Sequence, residues 1–256
     1  MADRIFDYTL DQSTRPQLGL IVLQSDVTLE DDLRRLLPAD VSLQVTRVPS
    51  STTVTSETLA EMEHHLAAAA RVLPRGVTFD VLGYGCTSGT AEIGAARVAQ
   101  CIRQGTQTIV VTEPVSALFA ACSALRVSRI AFLSPYVESV SQKLRQTLSD
   151  QKIETPVFGT FAEDQEAKVA RIDEKSLLDA ACRLVKDVDI DAVFLSCTNL
   201  RTLDVIPRLR DVTGLPVLSS NLVLAWHMLH ASSAIEPNVL PEDLLSKHPK
   251  TRTGQV

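Results

Sequence analysis

The feature that most constrains the fold of this chain is an apolar strand followed by a cysteine–threonine turn, and this feature occurs twice. The first copy is the run 81–85 with Cys86 and Thr87 after it, and the second is the run 192–195 with Cys197 and Thr198 shortly after it. An aspartate stands six positions before each cysteine. A helical pattern follows Cys86, which places this thiol where a buried strand passes into a helix, at the open end of a sheet.

The spacing of the surrounding segments repeats as well. Sixty-two residues separate Gln24 from Cys86, and 62 separate Pro135 from Cys197. Strand patterns alternate with helix patterns through both halves, which is typical of parallel βα units. We therefore predict an α/β protein with two pseudo-symmetric halves, each a βα unit with a mostly parallel four-stranded sheet.

The boundaries of these units follow from the same pattern. We predict an N-terminal lobe, a C-terminal lobe, a closing helix, an N-terminal arm and a weakly ordered tail, at residues 17–114, 115–220, 221–234, 1–16 and 235–256. Two long helices are expected without interruption, at 56–73 and from the Cys86 turn to about Arg103.

Composition limits the environment and the partners. The net charge of −6 argues against a nucleic-acid or anionic-membrane partner. No apolar run approaches the roughly 18 residues of a membrane span, and the first residues do not resemble a signal peptide. Five cysteines do not form the even framework of a disulfide-rich secreted domain. We expect a cytoplasmic protein with free thiols, and the apolar helix 115–125 makes a homo-oligomer plausible.

Six predicted strand ends carry hydroxyl, amide, carboxyl or thiol side chains. They are 24–26, 86–88, 112–113, 134–136, 196–199 and 219–221. Ligands of open parallel sheets bind at the carboxyl ends of the strands. If the two lobes face each other at these ends, the segments line one small pocket that suits a carboxylate substrate.

Two thiols across such a pocket can act in two ways. One thiolate can remove a proton from carbon while the opposite thiol returns one, which inverts a stereocentre without a cofactor. A thiolate can instead add to a double bond, which allows rotation and elimination to the other geometric isomer. Both routes need a thiol pKa below about 8.5, which N–H groups at a helix start can provide. The other cysteines, at 101, 122 and 182, are expected to be small buried hydrophobes.

Four segments of the chain resemble the maleate cis–trans isomerase and arylmalonate decarboxylase branch of the Asp/Glu racemase superfamily, most closely its ectoine-utilisation, racemase-like subgroup. The segments are 18–30, 84–89, 133–136 and 196–198. The resemblance covers about residues 15–232. It implies two Rossmann-like lobes, an active site between them and no cofactor.

The resemblance also implies roles for individual residues. Cys86 would be the nucleophile or first base, and Cys197 the second acid–base group. The implied substrate-binding residues are Thr87, Ser88, Tyr136, Thr198 through its backbone N–H, and Gln165. Tyr136 could instead be a turn aromatic, and Gln165 part of a solvated loop. Decarboxylases of this group use the second cysteine alone, so the presence of Cys86 favours an isomerase or racemase.

One position departs from the family pattern. Maleate isomerases carry an asparagine in the first loop, where this chain has Asp26. An ionised aspartate cannot donate a hydrogen bond to a carboxylate and repels it at short range, which argues against maleate as substrate. Asp26 would suit a substrate ammonium group or a role in tuning Cys86. The alternative is that Asp26 caps the helix that follows it.

Two other motifs do not indicate a functional site. His227 and His230 lie three apart on the last helix without a third ligand, so we predict no metal site. The run 83–85 lacks the third glycine and the ribose-binding acid of a dinucleotide loop.

The favoured function is racemisation of an amino or hydroxy acid. The alternatives are maleate cis–trans isomerisation, an arylmalonate-type decarboxylation and a non-catalytic carboxylate-binding protein. Thiol pKa values near or above 8.5 would favour the binding protein.

Overall fold

The strands form two separate sheets, and all the strand pairs within them are parallel. A computed structural model describes residues 4–10 and 15–246. The first half contains β1 (Gln17–Leu23), α1 (Leu29–Leu36), β2 (Ser42–Val48), α2 (Ser56–Glu61), α3 (Glu63–Arg71), β3 (Phe79–Gly85), α4 (Thr87–Ile93), α5 (Ala95–Arg103), β4 (Thr108–Thr112) and α6 (Pro114–Leu125). The second contains β5 (Arg129–Tyr136), α7 (Glu138–Asp150), β6 (Glu154–Glu163), α8 (Glu166–Val169), α9 (Glu174–Leu184), β7 (Ala192–Leu195), α10 (Val205–Thr213), β8 (Val217–Ser219), α11 (Ser220–Ala231) and α12 (Asp243–Ser246).

The two sheets have the same strand order, which confirms the predicted doubling of an α/β unit. The orders are β2-β1-β3-β4 and β6-β5-β7-β8. The inner strands β1, β3, β5 and β7 are almost wholly buried, which explains why they are near-continuous apolar runs in the sequence. The two cysteine–threonine turns follow the carboxyl ends of β3 and β7.

The aspartate that precedes each of these turns has the same structural role in both halves. The carboxylate of Asp80 accepts a 2.7 Å hydrogen bond from the backbone N–H of Gln17, at the start of β1. The carboxylate of Asp191 accepts 2.8 Å bonds from the N–H groups of Ser128 and Arg129, at the start of β5. Each aspartate therefore ties the start of the cysteine strand to the start of its neighbour.

Both predicted long helices are interrupted. The helix after Cys86 ends at Gly94, whose φ of 90° cannot continue a helix, and α5 begins on the other side. The predicted helix 56–73 is divided into α2 and α3 at Met62, although Met62 itself keeps helical backbone angles. The Met62 side chain is buried, and its sulfur lies 3.7 Å from the hydroxyl of Tyr84.

The closing helix α11 packs against the first sheet although it follows the second one in the chain. Gly83, in β3, has no room for a side chain, because a Cβ there would lie 2.7 Å from the sulfur of Met228. The start of α11 lies at the site between the sheets, where Ser220 is fully buried.

The segment after α11 is packed, in contrast to the predicted loose tail from residue 235. The carbonyl of Val239 accepts a 2.7 Å hydrogen bond from Trp226 and lies 2.9 Å from Nε2 of His230. Leu244 is buried as well. Apolar side chains among the polar ones therefore hold this segment, and the rest of the predicted tail lies outside the described residues. Residues 4–10 are exposed and without secondary structure.

Within 4–10 and 15–246, no helix has the length and apolar character needed to cross a membrane. The same residues contain no cluster of three or more His, Cys, Asp or Glu side chains placed to hold a metal ion.

Candidate active site

The two cysteine–threonine turns meet at one small cavity between the sheets. Seven of the eight predicted site residues line it, and Glu166, Asn199 and Leu23 line it as well. The cavity is about 10 Å³, room for a single water molecule. The turns are therefore brought together in a closed arrangement, and a substrate needs the surrounding segments to part.

Cys86 is held at the start of α4. Its backbone is extended, and its sulfur accepts a 3.2 Å hydrogen bond from the N–H of Gly89. Residue 89 must be glycine, because a Cβ there would lie 2.9 Å from the Cys86 sulfur and 2.8 Å from the Tyr84 hydroxyl. The absence of a side chain at Gly89 thus leaves space for the thiol.

Cys197 has a different and strained backbone. Its φ of 109° lies in the region that residues with a side chain rarely adopt, at a cost of about 1–3 kcal/mol. Its N–H donates to the hydroxyl of Ser220 at 3.0 Å, and its sulfur accepts from the N–H of Asn199 at 3.3 Å. Strain of this kind persists where surrounding contacts fix a residue for a function.

Ser220 connects the two turns. Its hydroxyl accepts a 2.7 Å hydrogen bond from Oγ1 of Thr87, in addition to the bond from Cys197. Thr198 adds a second link, because its hydroxyl donates to the carbonyl of Gly85 at 3.2 Å. In the sequence, residue 220 stands out only as part of the polar strand end 219–221.

Asp26 accepts hydrogen bonds at the start of α1, and it also lines the cavity. Its Oδ1 accepts hydrogen bonds of 2.8 and 2.9 Å from the N–H groups of Thr28 and Leu29, at the start of α1. Its Oδ2 has no hydrogen-bond partner among the described residues, although the side chain is buried and lines the cavity. Burial raises the pKa of Asp26, against the lowering effect of the two N–H donors.

Tyr136 lies between a carboxyl group and the second thiol. Its hydroxyl donates to Oε1 of Glu166 at 2.7 Å and lies 3.0 Å from the sulfur of Cys197. The side-chain amide of Asn199 donates to the other oxygen of Glu166 at 2.8 Å, and its carbonyl oxygen accepts from the N–H of Val27 at 3.0 Å. Burial raises the pKa of Glu166 and that of Tyr136. Sequence reasoning assigned no role to Glu166 or Asn199.

Gln165 lies outside the cavity lining. Its side chain donates to Oγ1 of Thr53 at 3.2 Å, and the two residues pair as an isolated antiparallel bridge. The N–H of Val54 donates to the carbonyl of Asp164 at 2.8 Å beside them. A loop of the first half is thereby joined to the loop before α8, one residue from Glu166.

The expectation of a lowered thiol pKa is wrong for this closed arrangement. Burial raises the pKa of Cys86 to about 12 and that of Cys197 well above its ordinary value, and the nearby carboxyl of Glu166 raises both further. The hydrogen bond from Gly89 lowers the Cys86 pKa by less than burial raises it. No Lys, Arg or His side chain lines the cavity within the described part of the chain, so no cation offsets the loss of water.

The remaining cysteines lie away from the cavity. Cys101 and Cys122 are buried in helices, as predicted, while Cys182 is half-buried.

Known proteins are similar to this chain in sequence and in fold. The model of the arylmalonate decarboxylase family matches residues 92–238. The maleate isomerase of Geobacillus stearothermophilus is 26% identical over 235 residues, which covers 83% of this chain and 90% of the relative. The arylmalonate decarboxylase of Bordetella bronchiseptica is 24% identical over 219 residues, 85% of this chain and 90% of the relative.

A solved structure extends the likeness to the fold. It is a cysteine-to-serine variant of Nocardia farcinica maleate cis–trans isomerase with a covalently bound succinylcysteine intermediate. Its TM-score to this chain is 0.75 at 22% identity, with 92% of this chain and all of that chain covered. These comparisons confirm the resemblance that the sequence motifs indicated, and the family model spans more than half of the residues. The chain belongs to the arylmalonate decarboxylase family.

Proposed function

We propose that this chain is a cofactor-independent isomerase that racemises a small amino acid, with Cys86 and Cys197 as its two acid–base groups. The observation that carries the proposal is that both cysteine sulfurs line one enclosed cavity, each delivered by the end of a central strand. A general base must come within hydrogen-bond reach of the proton that it removes, and a cavity this small keeps both sulfurs close to any substrate that enters it.

The substrate class follows from the charge of the cavity. Asp26 offers an oxygen without a partner, and Glu166 adds a second carboxyl group. A substrate ammonium group would supply hydrogen-bond donors and a positive charge to these carboxyls. The hydroxyl of Ser88 and the backbone N–H of Thr198 would bind the substrate carboxylate, while the Thr87 hydroxyl donates to Ser220. This arrangement favours an amino acid over a hydroxy acid.

The reaction needs no cofactor. A thiolate on one side takes the α-proton, and the thiol on the other side gives its proton to the opposite face of the same carbon. The product is the other enantiomer, and the two sulfurs have exchanged their protonation states. The next turnover then runs in the reverse sense or follows a proton exchange with solvent.

The test replaces each cysteine in turn. Cys86→Ser and Cys197→Ser should each abolish racemisation, and the wild-type enzyme in D2O should place deuterium on the α-carbon. Cys182→Ser is the matched control, because this half-buried thiol lies outside the cavity. Racemisation that survives in either cavity variant would exclude the two-thiol mechanism.

The second candidate is cis–trans isomerisation by addition of Cys86 to a double bond. The solved maleate isomerase with a succinylcysteine intermediate supports it as a reaction of a protein with this fold. The carboxyl of Asp26 opposes it for a dicarboxylate substrate. Turnover of maleate that depends on Cys86, without deuterium incorporation, would favour this candidate, and Asp26→Asn should then increase the rate.

Two further alternatives have separate tests. Release of carbon dioxide from a disubstituted malonate that persists in Cys86→Ala would indicate a decarboxylase. A protein that binds carboxylates without turnover would have two thiols that stay protonated, and the raised pKa values of the closed cavity agree with that alternative. The racemase therefore needs a route by which one buried thiol loses its proton.

A further inference from the structure

The closed cavity poses an electrostatic problem for thiol chemistry. Ionising Cys197 by releasing its proton to water would add a negative charge to a buried space that already contains two carboxyl groups, Asp26 and Glu166. Adding an unpaired charge to such a space is costly. A proton that moves from the sulfur to a group inside the cavity avoids this cost, because the number of charges does not change.

The hydroxyl of Tyr136 connects the sulfur to such a group. Its oxygen lies 3.0 Å from the Cys197 sulfur and 2.7 Å from Oε1 of Glu166, and all three side chains are at most 5% exposed. The hydroxyl donates to Glu166, so its oxygen is free to accept the S–H proton. Asn199 donates to the other Glu166 oxygen at 2.8 Å and holds the carboxyl in place.

We propose that Cys197, Tyr136 and Glu166 form a proton relay that generates the Cys197 thiolate. The S–H bond of Cys197 breaks as its proton joins the Tyr136 oxygen, and the former Tyr136 hydroxyl proton joins Oε1 of Glu166. The products are a thiolate, a neutral tyrosine and a neutral carboxylic acid, so no proton enters or leaves the cavity. The relay adds a proton-transfer step to the proposed racemase mechanism. Only its use in turnover rests on the proposed function.

Two other ionisable groups face the relay. Asp26, from the turn between β1 and α1, and Cys86, from the turn between β3 and α4, face the same cavity. Both are neutral or negative, and Asp26 raises the pKa of Glu166 and of Cys197. The Asp26 charge therefore acts in the same direction on the proton donor and on the proton acceptor of the relay.

The relay predicts an unusual pH dependence for the reactivity of Cys197. Because the transfer involves no proton from solvent, the thiolate fraction stays constant wherever the cysteine and the carboxyl share one proton. Glu166→Gln keeps an acceptor for the Tyr136 hydroxyl but cannot take a proton, so the thiolate fraction must then change about tenfold per pH unit below the thiol pKa. Tyr136→Phe removes the connection and should have the same effect.

The experiment measures alkylation of Cys197 by iodoacetamide between pH 6 and 8, without substrate, by mass spectrometry of the peptide that contains it. We expect a flat profile for the wild type and for Tyr84→Phe, the matched loss of a buried tyrosine hydroxyl outside the relay. We expect a slope of about tenfold per pH unit for Glu166→Gln and Tyr136→Phe. The buried thiols Cys101 and Cys122 report unfolding in the same digest.

Three outcomes would overturn the relay. They are a steep profile in the wild type, flat profiles in both relay variants, and no alkylation of wild-type Cys197 at any pH in this range. The assay contains no amino acid, so a wrong substrate assignment leaves its result intact. Conversely, racemisation by Cys197→Ser would exclude the proposed function whatever the alkylation profile.

A second readout uses the substrate and separates the relay from a structural role. In a Cys86→Ser background, Cys197 alone exchanges the α-proton of one enantiomer with D2O, and adding Glu166→Gln should slow this exchange about 10²-fold. In a Cys197→Ser background, the same substitution removes a negative charge near Cys86 and should not slow exchange of the other enantiomer. Equal losses in both backgrounds would indicate that Glu166 only maintains the structure.

Discussion

Asp32 is a buried carboxyl group whose ionisation should weaken the fold. It lies on α1 and is 5% exposed, and its Oδ2 accepts a 2.8 Å hydrogen bond from the side-chain amide of Asn221, on α11. Burial raises its pKa from 3.8 to about 7, against the lowering effects of Asn221 and the Arg35 charge. The folded protein therefore holds the Asp32 proton more tightly than the unfolded chain does, and stability falls as pH rises from about 4 to 7.

The size of the effect follows from the two pKa values. The rise from 3.8 to about 7 corresponds to about 4 kcal/mol of stability that is present at low pH and absent above pH 7. Asp32→Asn removes the ionisation and keeps an oxygen that can accept from Asn221. We expect the variant to be more stable than the wild type by about 4 kcal/mol at pH 8 and by only about 1.5 kcal/mol at pH 5.

Urea denaturation of both proteins at intervals from pH 5 to pH 9 measures this difference. The comparison cancels all other titrating groups, because the two proteins share them. Asp31→Asn is the matched control, since it removes the same charge from the preceding residue of α1. The Asp31 side chain is 77% exposed. A stability difference for Asp32→Asn that does not change with pH, or that equals the control, would refute the argument.

Two other substitutions test the turns. Gly89→Ala would place a methyl group 2.9 Å from the Cys86 sulfur, and we expect a loss of about 1–3 kcal/mol in urea denaturation together with reduced activity. A denaturation midpoint equal to that of the wild type would contradict the tight packing there. Ser220→Ala removes the acceptor that Thr87 and Cys197 share, and we expect a loss of about 1–3 kcal/mol and slower turnover, measured by denaturation and by steady-state kinetics. If both quantities were unchanged, Ser220 would not hold the turns.

The fold and the pair of thiols could be predicted because their signals are local. The inner strands are near-continuous apolar runs. The polar residues at their carboxyl ends mark the edge of the sheet where ligands bind. The turns at Cys86 and Cys197 follow such strands at a repeated spacing, and the aspartates before them make equivalent hydrogen bonds in both halves. Asn199 and Ser220 belong to the polar strand ends 196–199 and 219–221. Their position in the sequence therefore indicated that they lie near the site.

Glu166 gave no such signal. It begins α8, a helix of four residues, which is too short to produce a periodic pattern. Its place depends on pairing between loops more than one hundred residues apart, since its N–H donates to the carbonyl of Thr52. Sequence reasoning chose the adjacent Gln165, which contacts Thr53. The positive φ of Cys197 and the raised thiol pKa values likewise result from tertiary contacts that a local pattern does not contain.

The position of Ser220 determines how the cleft can open. Its hydroxyl is fully buried and joins the deep ends of both turns, whereas the pairing of Thr53 with Gln165 is partly exposed to water. Exposed backbone pairing of this kind separates at a smaller free-energy cost than buried contacts do. We therefore expect a substrate to enter where the loops of Thr53 and Gln165 separate, beside α8, while the buried contacts of Ser220 keep the two turns in place.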